Sequence, residues 1–406
     1  MLLIAMTDIY GRTWTDVRGR KIEAELVSAD ESKVVLKMPN GKNVTIRRET
    51  LGEEDQLFLE LNGDHDEPDG SNESGKSNNG SAENDLDDED LNWDDPWPDD
   101  IRYKEDPQIE VVSEDEEEKK FEYTSENYRF TCDVRLSKQV VSTFADMFEA
   151  TRLYCRSLPL AVTGGKKNNG KYDILLFETK ESYIKAGGPP SSAGVFMGWT
   201  NTVMVPLSSL GVRRVGSGYM RDRDKSDGTL IHEITHQLTP EPYYDLGARG
   251  WFSEGLAEYL TATKYRNGRF DIRGNFDDIR EYATSFGDSG KRGRNLGTNI
   301  SAPPLRDFML MSYQEFAGDN ANFNYGLGLL ITTYFLHLDG EGDGSRMKDF
   351  LKALRRTHGN RAKSADGQAD EVLKMLLDGR TFEELEADIS KAWSRKRVDI
   401  VFGKAK

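Results

Sequence analysis

Along residues 9–60, apolar and polar positions alternate in short runs broken by turn residues. Ile22-Glu-Ala-Glu-Leu-Val27, Lys33-Val-Val-Leu-Lys-Met38 and Val44-Thr-Ile46 show the period of two that sends one face of a strand inward and the other into water. Pro39-Asn-Gly41 supplies a turn between the last two, so this segment predicts a small β-barrel or sheet. From Phe121 the pattern mixes periods. Strand-like runs at 128–134, 172–177 and 202–205 surround a segment at 140–155 whose apolar residues recur at helical spacing. Beyond them lie helical runs at 325–338, 347–355 and 371–377, then Thr381-Phe-Glu-Glu384, a capping-box pattern opening a last helix toward Arg397. Strands followed by helices predict an α+β domain over 121–403, with a mixed-sheet lobe and a helical lobe.

The interval 61–120 carries neither period, and here charge changes the picture. Of the chain's net −17, residues 61–118 account for −20, with 23 Asp and Glu against three Lys and Arg, which leaves the rest at +3. Gly, Ser and Asn are frequent there and aliphatic residues few, so too little apolar surface is available to offset the entropy of ordering. The interval therefore reads as an acidic disordered linker, with Trp93 and Trp97 as the residues able to dock on a neighbour. Neither flank carries a basic stripe, which argues against a nucleic-acid partner. No apolar run approaches the roughly 20 residues of a membrane span. Two cysteines, Cys132 and Cys155, allow at most one disulfide and exclude a thiolate metal cluster. The apolar opening Met1-Leu-Leu-Ile-Ala-Met6 fits the stub of a trimmed signal, which would place the protein in the cell envelope or outside it, or a first strand, which would leave it in the cytoplasm.

The chemistry concentrates in Thr229-Leu-Ile-His232-Glu233-Ile-Thr-His236-Gln-Leu238, a helical pattern with Ser226 or Asp227 placed to cap it. Two histidines four apart project from one helix face, where a single tetrahedral ion can take both. Glu233 sits beside the first, within reach of the attacking water as a general base without itself being a ligand. A third ligand is expected from Glu254, 18 positions after His236 and beyond a turn-rich connection. Three protein ligands leave one zinc position open, as in catalytic sites, so one Zn²⁺ per chain is expected.

Trp251-Phe-Ser-Glu254-Gly-Leu-Ala-Glu258-Tyr259 closely resembles the second motif of the gluzincin metallopeptidases, the superfamily of thermolysin and aminopeptidase N, whose pattern is Trp-x-x-Glu-Gly-x-Ala-x-Tyr. The resemblance implies a two-lobed zincin-like fold and zinc-dependent hydrolysis of peptide bonds. It also implies that Glu258 buttresses the first zinc histidine, and that a downstream tyrosine donates to the oxyanion. Tyr325 is the candidate for that donor, with Tyr334 and Tyr313 behind it. The substrate is expected along a hairpin at 193–206, as a strand added to a sheet edge. The aminopeptidase motif Gly-x-Met-Glu-Asn is missing, with Gly194-Val-Phe-Met197 only a faint echo, so exopeptidase specificity is not implied. Near the N-terminus, Arg12-Thr-Trp-Thr-Asp16, Asn40-Gly-Lys42 and Leu51-Gly-Glu-Glu-Asp-Gln56 resemble the first Sla homology domain, a small barrel, which implies a protein or peptide partner for residues 9–60.

Two further patterns do not hold up. Gly165-Lys-Lys-Asn-Asn-Gly170-Lys171-Tyr172 lacks the Ser or Thr of a phosphate loop and precedes a strand. Asp339-Gly-Glu-Gly-Asp343-Gly344 starts like a calcium loop but has Phe350 at its twelfth position. Two functions remain. One is a zinc metallopeptidase acting on peptides or proteins; the other is a catalytically silent scaffold that keeps the zincin fold and binds through its N-terminal module. Intact Glu233 favours the first.

Overall fold

The computed structural model describes residues 12–15, 20–29, 33–38, 42–47, 50–51, 91–104, 106–198, 200–222, 228–272, 275–285, 293–358 and 365–403. The chain divides into two compact units, Met1–Asp85 and Leu86–Lys406.

In the first unit, β1 (Arg12–Thr15), β2 (Lys21–Ala29), β3 (Lys33–Lys37) and β4 (Asn43–Arg47) pair antiparallel in sequence order. Trp14, Ala24, Val34, Leu36 and Leu51 form its core, and the Trp14 indole N–H donates to the Ala24 carbonyl at 2.9 Å. The expected strands are present, but no closed barrel forms among the described residues. The sheet is an open meander: β4 is almost wholly exposed and pairs only with β3, so one apolar face suffices, as antiparallel sheets allow.

The second unit is α+β. Its main sheet has the order β10-β11-β9-β8-β7-β6, built from β6 (Glu110–Asp115), β7 (Lys120–Thr124), β8 (Tyr128–Cys132), β9 (Tyr172–Phe177), β10 (Val195–Met197) and β11 (Thr202–Pro206). The β8–β9 and β9–β11 pairs are parallel and the others antiparallel, which makes the sheet mixed. Parallel β8 and β9 require a crossover, supplied by α1 (Lys138–Ser157). Its Phe144 and Phe148 meet Phe130 edge-on, at 5.5 and 5.2 Å between ring centres. Short α2 (Lys180–Lys185) follows β9, and the hairpin of β12 (Val212–Val215) and β13 (Gly218–Arg221) follows β11.

Then come α3 (Thr229–Leu238) and α4 (Trp251–Ala262), the two helices that carry the motifs. The expected caps of α3, Ser226 and Asp227, lie outside the described residues. α3 lies against β10, β11, α1 and α4. The chain continues through β14 (Lys264–Arg266), β15 (Arg269–Asp271), α5 (Phe276–Thr284), β16 (Asn299–Ala302), α6 (Leu305–Met309) and α7 (Tyr313–Phe316) to α8 (Ala321–His337). It ends with α9 (Ser345–Thr357), α10 (Ala365–Leu377), α11 (Phe382–Ser394) and β17 (Asp399–Phe402). The capping box of α11 forms as its sequence predicts, with the Thr381 hydroxyl accepting from the Glu384 N–H at 3.2 Å. Among the described residues no helix is long and apolar enough to cross a membrane. Cys132 and Cys155 are both free and buried.

The expected linker needs correction. Residues 61–90 lie outside the described residues, but 91–120 belong to the second unit, apart from Glu105, which is also outside. Leu91, Trp93, Ile101 and Ile109 enter its main core, and β5 (Asp100–Arg102) pairs with β15. The Trp97 indole donates to the Asp343 carbonyl at 2.8 Å and meets His337 edge-on. The acidic residues of β6 occupy an exposed edge strand, where charge blocks pairing with other chains, so high charge coexists here with order.

α4 is buried on nearly all sides, which requires a close neighbour without bulk. A Cβ on Gly255 would run into the Thr332 hydroxyl and stand 2.5 Å from the Gly328 carbonyl oxygen, so glycine lets α4 and α8 approach backbone to backbone. Gly255→Ala should therefore destabilise the unit by about 1–3 kcal/mol, toward the upper end because backbone cannot step aside. Gly218→Ala, which meets nothing within 4 Å, is the control and should stay within about 0.5 kcal/mol. Thermal unfolding of both variants decides; equal midpoints would show that the helix contact yields.

Candidate metal centre

α3 buries Leu230, Ile231, Ile234 and Leu238 in the main core, and this fixes its rotation so that His232 and His236 face α4. Gly250, at φ +86°, turns the chain against the Phe316 ring immediately before α4 begins, and Glu254 enters in the first turn of that helix. The three side chains converge. His232 Nε2 and His236 Nε2 are 3.0 Å apart, and Glu254 Oε2 stands 3.0 Å from the first and 3.2 Å from the second. Among the described residues this is the one cluster of His, Cys, Asp and Glu whose ligand atoms lie close enough to share an ion.

Outer contacts set which nitrogen each ring presents. His232 Nδ1 lies 2.9 Å from Glu258 Oε1, so Nδ1 carries the proton and Nε2 points at the cluster. His236 Nδ1 faces the Tyr244 hydroxyl at 3.3 Å, and that hydroxyl donates to the His236 carbonyl at 2.9 Å. Burial alone would push His232 down, but Glu254 and Glu258 outweigh it and hold the ring up at about 10. Burial opposes ionisation of Glu258 too. Arg294 and His232 overcome that and hold it down to about 2. The Arg294 guanidinium grips Glu258 through both oxygens, its Nε donating to Oε2 at 2.8 Å.

Glu233 shares the helix but not the cluster. Its Oε2 accepts from the Phe196 N–H on β10 at 2.9 Å, and burial pushes its carboxyl above the usual range. It therefore stands between the cluster and a sheet edge, in a position to take a proton instead of binding an ion. The Phe196 ring stacks near His236 at 6.4 Å.

Two of the three expected tyrosines reach this place. The Tyr325 ring stacks on His232 at 6.0 Å, and its hydroxyl is bonded to that of Tyr313. Tyr313 donates to Glu254 Oε1 at 3.0 Å. Burial raises both hydroxyls well above their ordinary value, so both remain protonated donors. Tyr334 is elsewhere, its hydroxyl donating to Asp339 Oδ1 at 3.0 Å. Asp339 is itself held by Arg346 and Arg380, so the loop read as a false calcium start is tied by ion pairs.

Sequence reading missed Tyr244 and Arg294. Neither has a fixed spacing to the motif: Tyr244 sits in the connection between α3 and α4, and Arg294 follows α5, 36 positions from Glu258. An arginine between two glycines, Gly293 and Gly297, is the one weak signal the sequence offers. No protein-family model matches the chain, and no curated protein matches it.

Proposed function

We propose that the chain is a zinc-dependent metallopeptidase of gluzincin type, in which His232, His236 and Glu254 hold one zinc ion and Glu233 is the general base. The observation that carries this reading is the spacing of the three donor atoms, 3.0, 3.0 and 3.2 Å. Bonds of about 2.0–2.1 Å to a tetrahedral zinc require donors about 3.3 Å apart, so the cluster fits the ion with little rearrangement. Two histidines and one carboxylate also match the ligand set of open, catalytic zinc sites.

A bound zinc would supply a Lewis acid that polarises the scissile carbonyl and makes water acidic enough to react near neutrality. The remaining work falls to side chains of this chain. The Glu233 carboxylate takes the proton of the attacking water and returns it to the leaving amine. The Tyr325 hydroxyl donates to the oxygen that gains charge as the carbonyl becomes tetrahedral, while Tyr313 holds Glu254 in place. Among the described residues no strand pairs with the outer side of β10, so an extended peptide can pair there next to Glu233. On this reading the six-stranded sheet and the C-terminal helices would serve as the two lobes of a zincin-like fold. The first unit, resembling the first Sla homology domain, is proposed as a protein-binding module.

Zinc analysis of the purified chain with cleavage of a diverse peptide library tests the reading, which expects one zinc per chain and chelator-sensitive cleavage. Zinc without cleavage of any peptide would support the scaffold instead. Tyr325→Phe should lower kcat by about 10²–10³, the usual loss on deleting one oxyanion donor. Tyr313→Phe should cost less, because that hydroxyl acts on a ligand and not on the substrate. A larger loss in Tyr313→Phe than in Tyr325→Phe, in steady-state kinetics on one peptide, would reverse the two roles.

A further inference from the structure

We infer that Arg294 is the positioning residue of this centre: by clamping Glu258 and covering Tyr325, it fixes both the ring of His232 and the hydroxyl donor beside it. The inference rests on the zinc-peptidase reading and extends it to a residue outside both motifs.

The backbone that carries Arg294 is fastened on two sides. Its N–H donates to the Tyr282 carbonyl at 2.7 Å, and its own carbonyl accepts from Asn322 Nδ2 at 2.7 Å. Leu296 N–H adds a bond to the Ala283 carbonyl at 2.9 Å. On the facing helix α8 a Cβ at Gly326 would stand 2.7 Å from Leu296 Cδ1 and 3.0 Å from Arg294 Cβ, so glycine allows the segment to press against α8. The guanidinium thus starts from a fixed origin.

From there it reaches two groups. Both Glu258 oxygens accept from Arg294, and Glu258 Oε1 also takes the Nδ1–H of His232 at 2.9 Å. Glu258 is completely buried, so no water competes for these oxygens. The guanidinium carbon also lies 4.8 Å from the centre of the Tyr325 ring, which itself stacks on His232. Arginine fits this double task because its planar fork bonds a carboxylate through two N–H groups while its face lies on an aromatic ring.

Charge leads to the same assignment. Glu258 is a fully buried carboxylate with a second, Glu254, on the other side of the His232 ring, and Arg294 is the guanidinium that meets both of its oxygens. Removing the guanidinium would leave that carboxylate buried without the cation that spans it, an arrangement that desolvation penalises.

The test uses the full-length, zinc-loaded protein and four variants: Arg294→Met, Arg294→Lys, Glu258→Gln and the Arg294→Met/Glu258→Gln pair. Zinc dissociation constants from chelator competition are read without reference to turnover, and kcat and KM are read on one peptide. Arg294→Met should weaken zinc binding by about 10–100-fold, the usual loss for an outer partner of a metal ligand. It should lower kcat with KM nearly unchanged, because Arg294 acts on groups around the ion and not on the substrate. Arg294→Lys should recover part of the loss, since it keeps the charge but not the fork. In the Glu258→Gln background the methionine should add little, because neighbours acting through one contact are not additive. A zinc affinity in Arg294→Met equal to the parent, even with a lower melting temperature, would show a role in stability alone and overturn the inference. So would losses that multiply in the double variant. Should Arg294→Met not fold, the lysine and double variants carry the same comparison, since neither leaves a buried carboxylate opposite an apolar side chain. A parent protein that binds no zinc overturns both this inference and the reading beneath it; a parent with one zinc and an unaffected Arg294→Met overturns only this one.

Discussion

Glu233→Gln is expected to lower peptide hydrolysis by about 10²–10⁴, the cost of losing a general acid or base, while zinc content stays at one per chain. The glutamate side chain lies outside the three-atom cluster, and its Oε2 is engaged by the Phe196 N–H, so an amide of the same shape can keep that bond and leave the ligands where they are. What the amide cannot do is take a proton. Burial raises the Glu233 carboxyl from its ordinary value, toward the neutral range in which a base works best. The same oxygen is required twice, first to accept a proton from water and then to deliver it to the leaving amine, so the upper end of the range is expected. Metal analysis and steady-state kinetics on the same preparation separate this from metal loss. Undiminished hydrolysis in the variant would remove Glu233 as the base; hydrolysis and zinc lost together would make it part of the ligand set.

How much of this site could be seen in the sequence depended on whether the contacts follow a helix. His232, Glu233 and His236 occupy one turn of α3, and Glu254 and Glu258 one turn of α4, so positions three or four apart translate directly into shared faces. The same periodicity located α1, α8 and the cap of α11. Arg294 and Tyr244 come from loops, and nothing local tells where a loop side chain ends. Composition misled over 91–120. Charge density there suggested disorder, yet Leu91, Trp93, Ile101 and Ile109 are spaced widely enough to escape a window average and still reach the core. The strand runs of residues 9–60 specify pairing but not closure and so fit a barrel or a sheet; the resemblance to the first Sla homology domain implies the barrel, whereas the described strands form an open sheet.

Glu254→Ala should leave the purified chain with almost no zinc, and His236→Ala should do the same. Each removes one of three donors that stand 3.0–3.2 Å apart, and two donors do not make the site. The loss must exceed the roughly 10–100-fold expected for an outer partner such as Glu258, because a direct bond disappears and not merely its alignment. A ligand that binds only the folded state stabilises it, by about 4.1 kcal/mol at a thousandfold excess over its dissociation constant. Chelation should therefore lower the melting temperature of the parent, whereas Glu254→Ala should melt at the same temperature with and without chelator. The metal-free forms keep the comparison honest about folding. Glu254 is a buried carboxylate beside a His232 ring that Glu258 still engages through Nδ1 when Glu254 is gone, so its removal strands no charge and metal-free Glu254→Ala should stay folded. Circular dichroism checks that point, and metal analysis checks the site. Full zinc retention in both variants, with the fold intact, would place the ion elsewhere and with it the chemistry assigned to α3 and α4.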